Sequence, residues 1–265
     1  METPAAAPAF LLMDIPFAIP FDLPTYAACA AIILGAYVIF GITTFGAAMF
    51  TVPALSYFFP LSFVLPMCVL LDVSAALALG SRFSQEADRG ELKWMAPCSL
   101  AGAVAGVTAL VTIPQQATIA AFGIFLLCYG LYSLFAGAPQ IGIARHPWAV
   151  ISGFCGGAAG TLFGVGAPPY AIYLSRRLPD KAVLRATLSN MVLLSTSIRA
   201  LVFLLGGLIL MDRVIGAALL LPFALGGIWA GHHIQLSVSR ENLLKVIGVL
   251  LLLIGGSLII RVLPG

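Results

Sequence analysis

The chain has 265 residues, 61% of them hydrophobic and 9% charged, with a net charge of +3 and a mean hydropathy of +1.09. So few charges exclude a water-soluble domain and imply a protein that crosses a bilayer several times. The small positive balance is of the size that orients a membrane protein, and no nucleic-acid partner is expected from it.

In chain order, residues 1–24 (METPAAAPAFLLMDIPFAIPFDLP) carry Glu2, Asp14 and Asp22 but no lysine or arginine. Without the basic region of a signal peptide, they read as a retained leader. Long transmembrane helices are predicted near 27–45, 61–80, 93–111, 117–135, 148–164, 184–207, 214–231 and 243–262. Runs such as LLKVIGVLLLLIGGSLII (243–260) are helical in length and unlike the short alternating strands of a barrel. Two shorter runs remain, AAMFTVPALSYFF (47–59) and APPYAIYLS (167–175). Thirteen residues make about 20 Å of helix against a hydrocarbon core of roughly 30 Å, so these runs predict half-helices or short crossings buried in protein. The second run overlaps GTLFGVGAPP (160–169), whose glycines and paired prolines oppose a continuous helix.

Comparing the chain with itself divides it into two repeats. A shift of 118 places TFG (44–46) on LFG (162–164) and Asp72 on Asn190. A shift of 125 places WMAPCSLAGAVAG on LLLPFALGGIWAG, matching Pro97, Gly102 and Gly106 to Pro222, Gly227 and Gly231, and carries Gly123 and Gly130 onto Gly248 and Gly255. The first transmembrane repeat is therefore 25–136 and the second 146–263, joined by the linker 137–145, within a single domain.

Lysine and arginine collect on the cytoplasmic side of membrane proteins. The basic loops are SRFSQEADRGELK, the linker with Arg145, SRRLPDKAVLR and HHIQLSVSRENLLK. All four fall inside if each short run counts as a crossing, with both termini outside. The expected fold is thus an all-α polytopic membrane protein of two inverted repeats, with eight long helices plus two short broken ones, about ten crossings. Re-entrant short segments would instead restore eight spans.

Two charged side chains lie well inside apolar runs, Asp72 and Arg199. Such groups are costly and usually face the bundle interior or a watery cavity. Asp72 is a candidate proton-coupling site, because a carboxylate taken out of water holds its proton more tightly. Arg199 would contribute permanent positive charge to an anion path. The alternatives are a structural ion pair between the two or an Arg199 that snorkels to the outer surface. Where a helix breaks at membrane depth, free amides and a positive half-helix end bind anions without a basic side chain. Gly160, Thr161, Gly164 and Gly166, facing Thr43, Thr44 and Gly46, form the candidate substrate site, with Asn190 and Arg199 beside it. Gly102, Gly106, Gly227 and Gly231 read as helix packing. The five cysteines, Cys29, Cys68, Cys98, Cys128 and Cys155, form no CxxC pair and read as small buried hydrophobes. No metal site, cofactor or catalytic residue is expected. The chain lacks HExxH and GxSG, and its histidines, His146, His232 and His233, lie near loops.

The glycine motif followed by proline in each half, FGITTFGAAMFTVPAL and GGAAGTLFGVGAPPYAIYL, resembles the sulfite exporter TauE/SafE permeases, also described as the 4-toluenesulfonate uptake permease family. The short length and twofold repeat agree with it. The resemblance implies an inner-membrane, multi-pass secondary transporter for sulfite, sulfoacetate or other sulfonates, coupled to protons by alternating access. The alternatives are an anion channel or a carrier for a non-sulfur carboxylate. The expected partners are the small anion, protons and the lipid bilayer, and a homodimer is compatible with the sequence.

Overall fold

The computed structural model describes residues 22–43, 46–78, 84–135, 146–234 and 240–262, with the side chains of 43, 78, 234 and 240–247 outside the description. The expected leader, apart from residues 22–24, lies outside it, as do Thr44 and the linker. Every regular element among the described residues is a helix: α1 (Leu23–Thr43), α2 (Ala47–Leu55), α3 (Leu61–Ala78), α4 (Arg89–Thr112), α5 (Gln115–Phe135), α6 (His146–Phe163), α7 (Ala167–Arg177), α8 (Lys181–Leu205), α9 (Met211–Ile234) and α10 (Arg240–Val262). Eight are long and two, α2 and α7, are short, in the positions the apolar runs predict. Five of the long helices, α1, α4, α5, α8 and α9, are both long and apolar enough to cross a membrane.

Local chemistry accounts for the boundaries. Asp88 and Asp180 cap α4 and α8, each carboxylate accepting from two backbone amides of the first turn. At the other end of the bundle, Pro60 and Pro114 precede α3 and α5 and supply the first carbonyls of those helices.

Small residues set the helix pairs. A Cβ on Gly227 would lie 2.6 Å from the Leu34 carbonyl oxygen, and one on Gly41 equally close to that of Ile228, so α1 lies directly on α9. On α4, Gly102 abuts the Phe154 carbonyl, while Gly153 of α6 would place a Cβ 2.6 Å from the Met95 carbonyl. In both pairs residue numbers rise together along the contact, so the helices run parallel. The α5–α10 pair is antiparallel: Gly123 lies against Gly255, and Gly130 against Gly248. The glycines matched by the 125-residue shift are thus close-packing residues, as expected in membranes, where backbones approach through small side chains. Exchanging α1 with α6, α2 with α7, α3 with α8, α4 with α9 and α5 with α10 leaves the main pairs unchanged: α4–α6 with α1–α9, α3–α9 with α4–α8, and α1–α2 with α6–α7.

The ends of the bundle differ in chemistry. Arg177 at the end of α7 lies 3.3 Å from His146 at the start of α6, so α6 and α7 form a hairpin that returns to one end of the bundle. Arg89, Lys93, Arg176, Lys181 and Arg185 lie at that end too. The three tryptophans, Trp94, Trp148 and Trp229, are exposed within five residues of helix ends on the same side, the position that amphipathic rings take at a membrane surface. The opposite end holds Arg213 and Arg261, which cover Phe63 and Tyr57.

The cysteines correct one expectation. Cys29 and Cys68 are buried, but Cys128 and Cys155 are exposed and Cys98 is half-buried. An apolar residue in a membrane helix has no need to face inward, because lipid tails are as apolar as a protein core.

Candidate functional site

Both glycine breaks have the same backbone device. Gly46, immediately before α2, has φ 96°, and Gly164, immediately after α6, has φ 76°. Side chains rarely adopt this left-handed region, where a Cβ crowds the following carbonyl. These are the two glycines that the 118-residue shift superimposes. The breaks also touch: a Cβ on Gly164 would lie 2.8 Å from Ala48 Cβ and 3.2 Å from Val52 of α2. Beyond Gly164, Val165 N–H donates to the Ala159 carbonyl, and Pro168 and Pro169 enter the first turn of α7, where a missing amide hydrogen costs least.

Arg199 of α8 reaches this break. Its Nη1 donates to the Gly160 carbonyl at 3.0 Å, and its Nη2 donates to Asp72 Oδ2 of α3 at 2.8 Å. The other Asp72 oxygen accepts from the Tyr37 hydroxyl of α1 at 2.7 Å. Arg199 is 6% exposed, so it is held inside the bundle and does not snorkel. The guanidinium meets the C-terminal turn of α6, where its charge complements the helix dipole. Its buried Nε has no hydrogen-bond partner among the described residues. Desolvating a charge is expensive, and an unused donor on it adds to the cost.

Gly160 and Gly166 face each other across the break, with Ser195 Oγ beside both. Behind them a buried hydroxyl chain runs from Ser99 to Tyr170 at 2.8 Å and from Tyr170 to Ser195 at 3.0 Å. Thr161 is turned away from the break. Its hydroxyl donates to the Gly157 carbonyl and its Cβ lies against Gly106 of α4. Asn190 is engaged elsewhere: its side-chain oxygen accepts from Ser84 N–H and its amide donates to the Ser84 carbonyl. With Thr187, which accepts from Asp88 N–H, it ties the segment before α4 to α8. Thr43 ends α1, with its side chain outside the description.

Sequence reading missed three groups. Tyr37 and Tyr170 sit in apolar runs where a tyrosine resembles any other large ring. Glu91, Tyr173 and Arg177 form a second cluster at the basic end, where Glu91 accepts from Tyr173 at 2.6 Å and from Arg177 at 2.8 Å. The Glu91 side chain is 4% exposed and that of Arg177 34%, a difference invisible in a loop that reads simply as charged. Thr51 of α2 also buries a hydroxyl without a partner among the described residues.

The fold and the site define a multi-pass helical membrane protein organised around one buried charge pair and two touching helix breaks. No curated protein and no solved structure gives a match. The family model of the sulfite exporter TauE/SafE proteins matches residues 29–258. The chain belongs to that family of membrane transporters, and the match spans both breaks, Asp72 and Arg199.

Proposed function

We propose that the protein is a secondary carrier that moves small sulfur-containing anions, sulfite, sulfoacetate or other sulfonates, across the inner membrane by proton-coupled alternating access. The observation that carries this reading is the buried Arg199 guanidinium, anchored on the Gly160 carbonyl at the break and paired with Asp72. A permanent cation held at membrane depth attracts an anion, and the carboxylate beside it supplies a proton site.

The architecture in this reading is two inverted repeats of five helices. It is supported by the antiparallel α5–α10 pair, by pairings that survive exchange of the halves, and by the left-handed glycine common to both breaks. The basic end with its tryptophans is the cytoplasmic one. Substrate lies between the breaks, at Gly46, Gly160, Gly164 and Gly166, with Arg199 as the charged contact. Asn190 closes the cytoplasmic end through Ser84.

The test is uptake of sulfite and of sulfonates into proteoliposomes under an imposed pH gradient, with counterflow to separate a carrier from a channel. Gly164→Leu should abolish flux. Unaltered transport by that variant would remove the break from the site.

A further inference from the structure

Deepening this transport reading and resting on it, we infer that the Asp72–Arg199 site takes a singly charged oxyanion together with one proton, so that loaded and empty carrier carry the same charge. Arg199 has three donor nitrogens. Nη1 is committed to the Gly160 carbonyl, Nη2 to Asp72, and the buried Nε to nothing among the described residues. An oxyanion docks on a guanidinium most strongly through two parallel hydrogen bonds. The Nε–Nη2 edge provides such a pair of donors, and Asp72 holds half of it.

An entering anion therefore competes with Asp72 for Nη2. Two negative groups on one guanidinium repel strongly away from water. Protonation of Asp72 removes the conflict: the carboxyl releases Nη2 while its other oxygen stays beside the Tyr37 hydroxyl, 2.7 Å away. The anion then takes the place of the carboxylate opposite Arg199. The proton comes from solution with the anion and leaves with it, and no covalent bond other than the carboxyl O–H is made or broken.

Among the described residues no other group is placed to absorb a second negative charge. Around Asp72, α1 contributes Tyr37, α8 contributes Arg199, and Cys68 lies one turn back on α3. The short helix α2 has no ionisable side chain, and those of α9 lie at its ends, Asp212, Arg213, His232 and His233. On α4, Glu91 is held by Tyr173 and Arg177, Lys93 is exposed and Cys98 half-buried. On α6, His146 lies beside Arg177 and Cys155 is exposed. A dianion would leave a net negative site at membrane depth, which is costly. The substrate class is thus bisulfite and monosulfonates, with dianions such as fully ionised sulfoacetate disfavoured.

The experiment uses the full chain in proteoliposomes, with methanesulfonate as the monoanion and sulfoacetate as the dianion, and the potential clamped by potassium and valinomycin. Methanesulfonate uptake should follow the proton gradient and ignore the potential, and sulfoacetate should be slower by at least about tenfold, the penalty for an uncompensated buried charge. Asp72→Asn should lose gradient-driven accumulation and acquire a dependence on potential, because Arg199 and the anion then move without the proton. In weakly buffered detergent solution, wild-type protein should take up one proton for each methanesulfonate bound, a readout that needs no variant. Potential-driven methanesulfonate uptake, equal rates for the dianion, or binding without proton uptake would each overturn the inference while leaving a sulfonate carrier intact. Failure to bind or move any sulfonate or sulfite would overturn the transport reading itself.

Discussion

Replacing each of the two left-handed glycines at the breaks, Gly46 and Gly164, by alanine separates the backbone contribution of the breaks from their packing. Gly46 has φ 96° and the nearest atom to a built Cβ is Met49 Sδ at 3.8 Å, ordinary contact. Gly46→Ala therefore meets only the left-handed penalty, about 1–2 kcal/mol. Gly164 has φ 76° and in addition would place its Cβ 2.8 Å from that of Ala48, a methyl group with no rotamer to move away. Overpacking a closed site costs about 1–3 kcal/mol more, so Gly164→Ala should destabilise by about 2–5 kcal/mol. The assay is equilibrium unfolding titrated with SDS in mixed micelles, followed by far-UV circular dichroism, alongside sulfonate uptake. If Gly46→Ala proves as damaging as Gly164→Ala, the packing of the second break on α2 is wrong. If both are neutral, neither glycine adopts the left-handed conformation.

Further outcomes follow from the polar clusters and the helix contacts. Arg199→Gln strands Asp72 and should cost about 3–5 kcal/mol, whereas the Asp72→Asn, Arg199→Gln double variant should recover part of the loss; strict additivity of Asp72→Asn and Arg199→Gln in the same titration would refute the pair. At the basic end, Arg177→Ala leaves a buried carboxylate with Tyr173 as its remaining partner and should cost about 2–3 kcal/mol. Glu91→Gln keeps an acceptor for the Tyr173 hydroxyl and leaves an arginine that can reach water, and should cost less than about 1 kcal/mol. Reversal of that order would contradict the burial of Glu91. Gly35, with nothing within 4 Å of a built Cβ, should accept alanine with a gain of up to about 1 kcal/mol from helix propensity. Gly227→Ala, whose Cβ would meet the Leu34 carbonyl at 2.6 Å, should cost at least about 1–3 kcal/mol.

The sequence by itself determined the ten helices of the described residues and the locations of the breaks. Apolar run length maps directly onto helices in a solvent that cannot satisfy a bare backbone, and glycine with proline interrupts such a run wherever it occurs. Self-comparison also matched Gly46 with Gly164, because a left-handed backbone position leaves few choices of residue. It identified Asp72 and Arg199, since a charge at membrane depth stands out against any apolar background. Which partner each polar residue finds was decided only by the tertiary structure. Arg199 and Asp72 are 127 positions apart, and whether they pair or face separate cavities depends on how α3 and α8 are rotated about their axes. Asn190, aligned with Asp72 by the repeat, instead binds the Ser84 backbone, because side chains in matching positions of two halves meet different neighbours once the sequences of those neighbours have diverged. Tyr37 and Tyr170 acquired their importance in the same way, from hydroxyl partners on other helices that no local periodicity encodes.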